Sequence, residues 1–482
     1  MSNFKKEIRL FDAVMLVSGS MIGSGIFIVS ADVARQVGSS GWLLASWVLA
    51  GLLTMAGAMS YGELTSMFPH AGGQYVFLQK AYGRLVGFLY GWSYFAVIQT
   101  GTIAAVAVAF AKFTGVLFPQ IINENHVIFA ITDTVKLTNQ RLLAIACIIL
   151  LTWANTRGVK EGKIIQNIFS STKLVALALI IIVGFAIGAN SEVISQNFSN
   201  MFTATNTVLQ KDNSLIINTI TGIGILIAIG VTQVGTLFSS DSWNGLAAAG
   251  DEVVNPQKTI PKGLFLGTLV VTILYLLVNV VYLCILPLKG NPLGVDVIQR
   301  GIQFASQDRV GSAAAEAIGG AGFAGVMAVL IMISTFGCNN GQILSGSRVY
   351  YAMANDGLFF KSFGKLNENS VPQNALWWQG IWASALCISG KYGDLLDYFM
   401  GVVIIFYVLT IYGIFILRRT MPDAERPVKA FGYPIIPILY IIVASIIVLI
   451  LIKEKPQYTY PGLFIVALGV PVYYLFNRKR TE

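Results

Sequence analysis

Twelve stretches of about twenty mostly apolar residues recur along the 482-residue chain, and each is long enough to cross a hydrocarbon layer about 30 Å thick as a helix. They centre near residues 24, 54, 100, 147, 178, 232, 275, 331, 382, 407, 442 and 468. Inside lipid only helices and closed barrels satisfy their own backbone, so the pattern predicts an all-α integral membrane protein with twelve transmembrane helices. Charged residues make up 11% of the chain, under half of the about 25% usual in soluble proteins, too few to cover several soluble domains. A soluble enzyme, a disordered scaffold and a nucleic-acid partner are thereby excluded, and the lipid bilayer is the expected surrounding.

The formal charge of +9 does not gather on one soluble face. Lys and Arg concentrate around residues 5–9, 80–84, 157–163, 258–262, 361–365, 418–429 and 478–480, all on one side of the bilayer if the N-terminus is cytoplasmic. That asymmetry predicts both termini inside. The segments around 119–139, 190–215 and 289–312 are the long outer loops, and none has the length of a domain. The N-terminal MSNFKKEIRLF lacks the short apolar core and small-residue cleavage site of a removable signal. Cys147, Cys284, Cys338 and Cys387 sit in apolar runs, without disulfide or metal-ligand spacing. His70 and His126 fall in loops without patterned partners, so no metal and no cofactor is expected.

Two of the twelve segments carry residues that weaken a helix at mid-membrane depth. The first, FDAVMLVSGSMIGSGIFIVSADVA, places Gly19, Gly23 and Gly25 within seven residues, and the sixth, LIAIGVTQVGTLFSSDSWNGLAAAGDEV, carries Ser239, Ser240, Asp241 and Ser242. Non-helical backbone at this depth costs several kcal/mol per unpaired group and is tolerated only where it lines a cavity or binds something. Gly19 and Gly23 also suit a helix-packing face, and Asp241 suits an N-cap. Both breaks open a block of five spans, the arrangement of an inverted-repeat carrier whose discontinuous helices meet at the midplane.

The residues resemble the amino acid-polyamine-organocation transporter superfamily, and within it the L-type amino acid transporter branch. The resemblance rests on GSMIGSGIF, GELTSMFPHAGGQYVFLQKAYG, IQNIFSSTKLVALALIIIVG, Trp243 followed by DEVVNPQKTIPKG, STFGCNNG and PDAERPVKAFGYPIIP, in that order along the chain. It implies one membrane transport domain over 1–482 with a leucine-transporter-like 5+5 inverted repeat: about 12–190, then 214–419, with two further spans in 432–477 and with spans 1 and 6 discontinuous. It also implies alternating-access transport of amino acids across the cytoplasmic (plasma) membrane. The backbone N–H groups of Gly23, Ser24 and Gly25 would receive the substrate carboxylate, in keeping with the anion preference of a helix N-terminus. The carbonyls of Ile22 and Phe238 would face the ammonium beside Ser239, and the Phe238 ring would close the site from outside. Two features depart from the branch. Asp241 stands where its animal members usually have a small residue, and the outer loop PQIINENHVIFAITDTVKLTNQ lacks the cysteine that links them to a companion glycoprotein. A disulfide-linked companion is therefore not expected, and a monomer suffices.

Lys173 lies about two turns inside the fifth span, where a charge costs about 2.5–3.5 kcal/mol on insertion scales. Snorkelling to the inner interface is the plain alternative. By resemblance its ammonium would stand where sodium-coupled relatives bind their cation, with Ser334 and Thr335 as neighbours, which predicts sodium-independent transport. Glu63 and Arg348, each near a cytoplasmic span end, are expected to pair as an inner gate or interface contact. The absence of HExxH and GxSxG argues against a membrane-embedded enzyme, and no repeated carbonyl filter or charge ring points to a channel. Neutral L-amino acids are the expected substrates; a proton-coupled carrier of cationic amino acids or polyamines remains the alternative because of Asp241.

Overall fold

A helix in lipid needs its end groups satisfied locally, and the residues that punctuate this chain are ones able to do that. The computed structural model describes residues 8–69, 72–132, 135–157, 162–210, 212–248, 250–369 and 371–478. Of the residues used above, Lys5, Lys6, His70, Lys160, Lys479 and Arg480 lie outside the described residues. The Thr138 hydroxyl accepts the Arg141 amide at 3.2 Å and opens helix Asn139–Thr156, as a side-chain N-cap does. Asn190 caps Ser191–Phe198 in the same way. Pro256 occupies the first turn of Pro256–Ile285, where its missing N–H costs nothing. Gly38, at φ 55°, ends Val29–Val37 in a left-handed conformation that only glycine adopts cheaply.

Each of the twelve expected centres falls on a helix except the first, which falls at a break between helices. Among the described residues, seven helices are long and apolar enough to cross a membrane, or eight if the bent pair Thr172–Gly188 and Ser191–Phe198 is one crossing. The shortfall has local causes. Leu10–Met21 and Ile223–Ser239 are apolar but stop at the two breaks after 12 and 17 residues, and Gln373–Ser389 has only 17. The helix Val310–Asn355, one of the seven, carries non-helical backbone at Gly319 and Gly320 and still passes as a span. Large apolar side chains such as Leu52, Ile182, Leu226, Ile446 and Leu475 remain more than half exposed, on a scale that suits lipid and not water. The chain is a multi-pass integral membrane protein.

Two of the three long segments expected outside carry hairpins: Val127–Ala130 pairs antiparallel with Lys136–Thr138, and Thr205–Leu209 with Leu215–Thr219. The second hairpin is tied to the helices by Asn206 Nδ2 donating to Gln36 Oε1 at 3.1 Å. It is tied also by Gln303 Nε2, which donates to Ala34 O and to Thr207 Oγ1.

The opposite end is held by Glu63, whose side chain is 1% exposed. Arg418 donates to both its oxygens, at 2.9 and 2.6 Å, the Ala430 amide donates at 2.8 Å, and Arg426 Nε lies 3.4 Å away. The expected pairing of Glu63 with Arg348 is therefore corrected. Arg348 instead approaches Glu252 at 3.9 Å and is 58% exposed. The bidentate match of guanidinium to carboxylate, joined by a main-chain donor and a second nearby arginine, satisfies Glu63 without it. Arg426 also donates to Leu417 O and Met421 O, satisfying carbonyls at the end of Tyr392–Thr420. Removing one partner of a buried ion pair costs about 3–5 kcal/mol. Glu63→Gln should therefore lower the melting temperature of the purified protein by several degrees, whereas Arg348→Gln should leave it unchanged; equal melting of the two variants would rule out the Glu63 clamp.

Candidate functional site

The first helix ends where Ile22 donates the last rung of its ladder to Ser18 O at 3.0 Å. Regular bonding resumes only when Phe27 donates to Ser24 O and Ile28 to Gly25 O, so the amides of Gly23, Ser24 and Gly25 lie between two ladders. The second interruption follows Ser239: Asp241 donates to Phe238 O at 3.1 Å, Ser242 takes φ 67°, and the chain re-enters a short helix at Gly245–Ala248. Both interruptions foreseen from the sequence are present.

The two breaks touch. A Cβ on Gly25 would lie 2.8 Å from Ser239 Cβ and 2.9 Å from its Cα, so glycine is required by the approach of the two backbones. A Cβ on Gly23 would meet Cys338 Sγ at 3.7 Å and Met21 O at 3.9 Å, ordinary van der Waals contacts. Tyr275, from the middle of Pro256–Ile285, places its hydroxyl 3.1 Å from Met21 O and 2.9 Å from Ser239 O, donating to carbonyls released by both breaks. Its ring is held edge-on against Trp47.

Around this junction lies a cavity lined by Ser20, Met21, Gly23, Ser24, Gly25, Thr102, Val106, Phe238, Ser239, Asp241, Ser242, Cys338 and Gln342. Six of the seven residues expected to bind substrate line it: Gly23, Ser24 and Gly25 come from the first break, and Phe238, Ser239 and Asp241 from the second. Ile22, fully buried, does not. The cavity holds about 20 Å³, about one water, so any larger occupant needs its walls to part. The Phe238 ring packs edge-on against Tyr392 and Phe399 with centroids 6.0 and 5.7 Å apart, and the Tyr392 hydroxyl lies 3.1 Å from Ser24 Oγ. On the other side Gln342 Nε2 donates to Ser242 Oγ at 2.8 Å and Gln99 Nε2 to Gln342 O at 2.6 Å.

Asp241 Oδ1 accepts the Tyr407 hydroxyl at 2.5 Å. Tyr407 is stacked on Trp243, and Tyr61 packs edge-on against both. The carboxylate at the cavity is thus steadied by an aromatic cluster from other helices. Lys173, 3% exposed, donates to Gly19 O at 2.6 Å, in the last turn before the first break. The snorkelling alternative fails, because the ammonium is spent on that carbonyl in the interior. Of the neighbours expected for it, Thr335 turns its hydroxyl back to Ile331 O and Met332 O in its own helix, while the buried Ser334 hydroxyl has no hydrogen-bond partner. No group of three or more His, Cys, Asp or Glu side chains suited to a metal occurs among the described residues.

Beyond the aromatic cover, at the end that bears the hairpins, charged groups form a clasp. Arg35 reaches Asp308 at 2.7 Å, Lys112 Nζ donates to Gln307 O at 3.1 Å, and Arg309 donates to Lys112 O at 2.8 Å. Burial works against ionised Asp308, but Arg35 and Lys112 outweigh it and hold its carboxyl below the usual range. With 36% of that side chain exposed, solvent screens the effect.

Tyr275, Tyr392, Tyr407 and Gln342 escaped sequence reasoning. Each is a lone polar residue in an apolar run, and nothing local to it names a partner. The one available signal was their type, since a tyrosine buried at mid-span needs an acceptor for its hydroxyl.

A multi-pass helical membrane protein with two interrupted helices meeting at a small polar cavity has the layout of a carrier. The comparisons supply the family. The amino acid permease family model matches residues 8–475. The chain is 30% identical over 477 residues to the human large neutral amino acids transporter small subunit 2, covering 98% of this chain and 80% of that protein. It is 29% identical to the mouse b(0,+)-type amino acid transporter 1 (98% and 88% covered) and to the mouse Asc-type amino acid transporter 1 (98% and 81%). The chain belongs to the amino acid permease family of the amino acid-polyamine-organocation superfamily, in its L-type branch; it is a membrane transporter of amino acids and not an enzyme.

Two outcomes follow from this geometry. Gly25→Val should abolish substrate binding while the protein still inserts and elutes as a single species, because the new side chain occupies the seat of Ser239; normal binding would remove this junction from the site. For Asp308 the depressed folded value means that its contribution is fully present above about 3.8, the ordinary carboxyl value, and is lost as pH falls through the lower folded one. The melting difference between wild type and Asp308→Asn should therefore be constant from about pH 5 to 8 and shrink only below about pH 4; a difference that fades between pH 8 and 5 would contradict this.

Proposed function

We propose that the protein is a sodium-independent secondary carrier of neutral L-amino acids in the plasma membrane. It works by alternating access through twelve spans arranged as two inverted five-span repeats and two further helices, with both termini cytoplasmic. The observation that carries this reading is the junction of the two breaks: Gly23–Gly25, whose amides lie outside both helical ladders, share one cavity with Ser239 and Asp241, and Tyr275 braces the junction. Such amides with an aligned turn behind them suit a carboxylate, and the carbonyl side of the second break with Asp241 suits an ammonium. An α-amino acid brings both groups one carbon apart. Phe238 serves as the outer lid, and the clasp of Arg35, Asp308 and Lys112 closes above it.

Lys173 supports sodium independence. Its ammonium already neutralises the carbonyl end of the first helix at Gly19, work that a bound cation does in sodium-coupled carriers. The neutral preference is supported by the names of two relatives, the large neutral amino acids transporter and the Asc-type transporter. One relative is named a small subunit, so association with a second chain stays compatible with this reading. A disulfide to such a chain does not, because all four cysteines are buried.

Uptake of labelled amino acids into proteoliposomes, with and without internal substrate, tests the assignment. Uptake should be unchanged when choline replaces sodium, and Lys173→Ala should stall turnover more than it weakens binding; steep sodium dependence would overturn the role given to Lys173. In competition, leucine, alanine or serine should inhibit and spermidine should not. Strong inhibition by arginine or spermidine that disappears in Asp241→Asn, with leucine and alanine inert, would replace the neutral reading with the cationic one.

A further inference from the structure

Tyr392 touches the first break, the aromatic lid and the charged clasp together. It opens helix Tyr392–Thr420 and is 2% exposed. Its hydroxyl lies 3.1 Å from Ser24 Oγ, its ring meets Phe238 edge-on, and Lys112 Nζ stands 5.5 Å from its ring centroid. Lys112, 7% exposed, is in turn seated on Gln307 O, next to the Arg35–Asp308 pair. A buried ammonium has few alternatives to the seats it holds, so a shift of the ring beneath it is felt at Gln307.

We propose that Tyr392 is a positioning residue that couples the substrate carboxylate to the outer clasp. The inference rests on the carboxylate seat at Gly23–Gly25 given above. A carboxylate on those amides brings an anionic acceptor beside Ser24 Oγ. The Tyr392 hydroxyl, now bonded to a neutral oxygen, gains a charge-assisted bond to it. That bond fixes the ring in the orientation that supports Lys112 on Gln307 O and Phe238 over the cavity. The ligand thereby shifts the population toward the closed clasp, by as much as its affinity differs between the two states. The feature recognised is the carboxylate and not the side chain, so the coupling is common to every substrate that carries one.

The test uses the full-length purified chain carrying Gln307→Cys, which keeps the main-chain carbonyl that receives Lys112. Labelling by a hydrophilic maleimide reports the clasp, against native cysteines that are all buried. Saturating L-leucine should slow labelling severalfold, and leucinamide, which lacks the carboxylate, should not. Adding Tyr392→Phe should weaken leucine binding by about tenfold, the loss of one hydrogen bond to a charged group, and should leave labelling at the ligand-free rate even at saturation. Lys112→Met should abolish the slowing and, because the coupling is reciprocal, weaken leucine binding by a similar severalfold factor, and Lys112→Arg should restore both. Slowing that persists in Tyr392→Phe at saturation, or that leucinamide reproduces, overturns the proposal. If leucine does not bind the parent protein and L-arginine does, the neutral-substrate reading fails instead, and the coupling is judged by the same outcomes with arginine against agmatine, its decarboxylated form.

Discussion

Carbonyls freed by a helix break in a low-dielectric interior cannot be left without donors, and one phenol meets that need for both breaks. The Tyr275 hydroxyl stands between Met21 O and Ser239 O, so the two interruptions share a donor and are held in contact. The rest of the site follows from this contact. Gly25 must lack a side chain because Ser239 occupies its flank. Residues 23–25 and residues 238–242 line one cavity between the two breaks.

The charged groups divide by task. Lys173 answers the last carbonyl turn before the first break and is buried with it. At the two ends of the helices, charges fasten elements remote in sequence: Glu63 with Arg418 and Arg426 at one end, Arg35 with Asp308 beside Lys112 at the other. These fastenings differ in kind. Glu63 is enclosed and multiply bonded, a permanent joint. Asp308 keeps over a third of its side chain exposed, and the contacts beside it run through single main-chain carbonyls.

Asp241 shows how a local reading is redirected by distant residues. In sequence it suits a cap or a cation ligand equally well. Packed against Tyr407, Trp243 and Tyr61, its carboxylate is oriented by a hydroxyl from a helix 166 residues away. Glu63 makes the same point, since its expected partner Arg348 lies on another face and its actual partner Arg418 is 355 residues distant.

What the sequence by itself determined is whatever depends on composition and short spacing. The apolar segments fell on helices because hydrocarbon admits no other open-chain backbone. The breaks fell where glycines and a Ser-Asp-Ser run make helix continuation costly, and Lys173 was marked by the price of burying a charge. The repertoire of amino acid carriers was legible from motifs spread over the whole chain. Tertiary structure alone decided which polar residue meets which: Tyr275 bridging the breaks, Tyr392 on Ser24, Tyr407 on Asp241 and Arg418 on Glu63. Each of these partnerships joins groups more than 30 residues apart, and a hydrogen bond or ion pair depends on a few ångströms of separation that only the packed helices set.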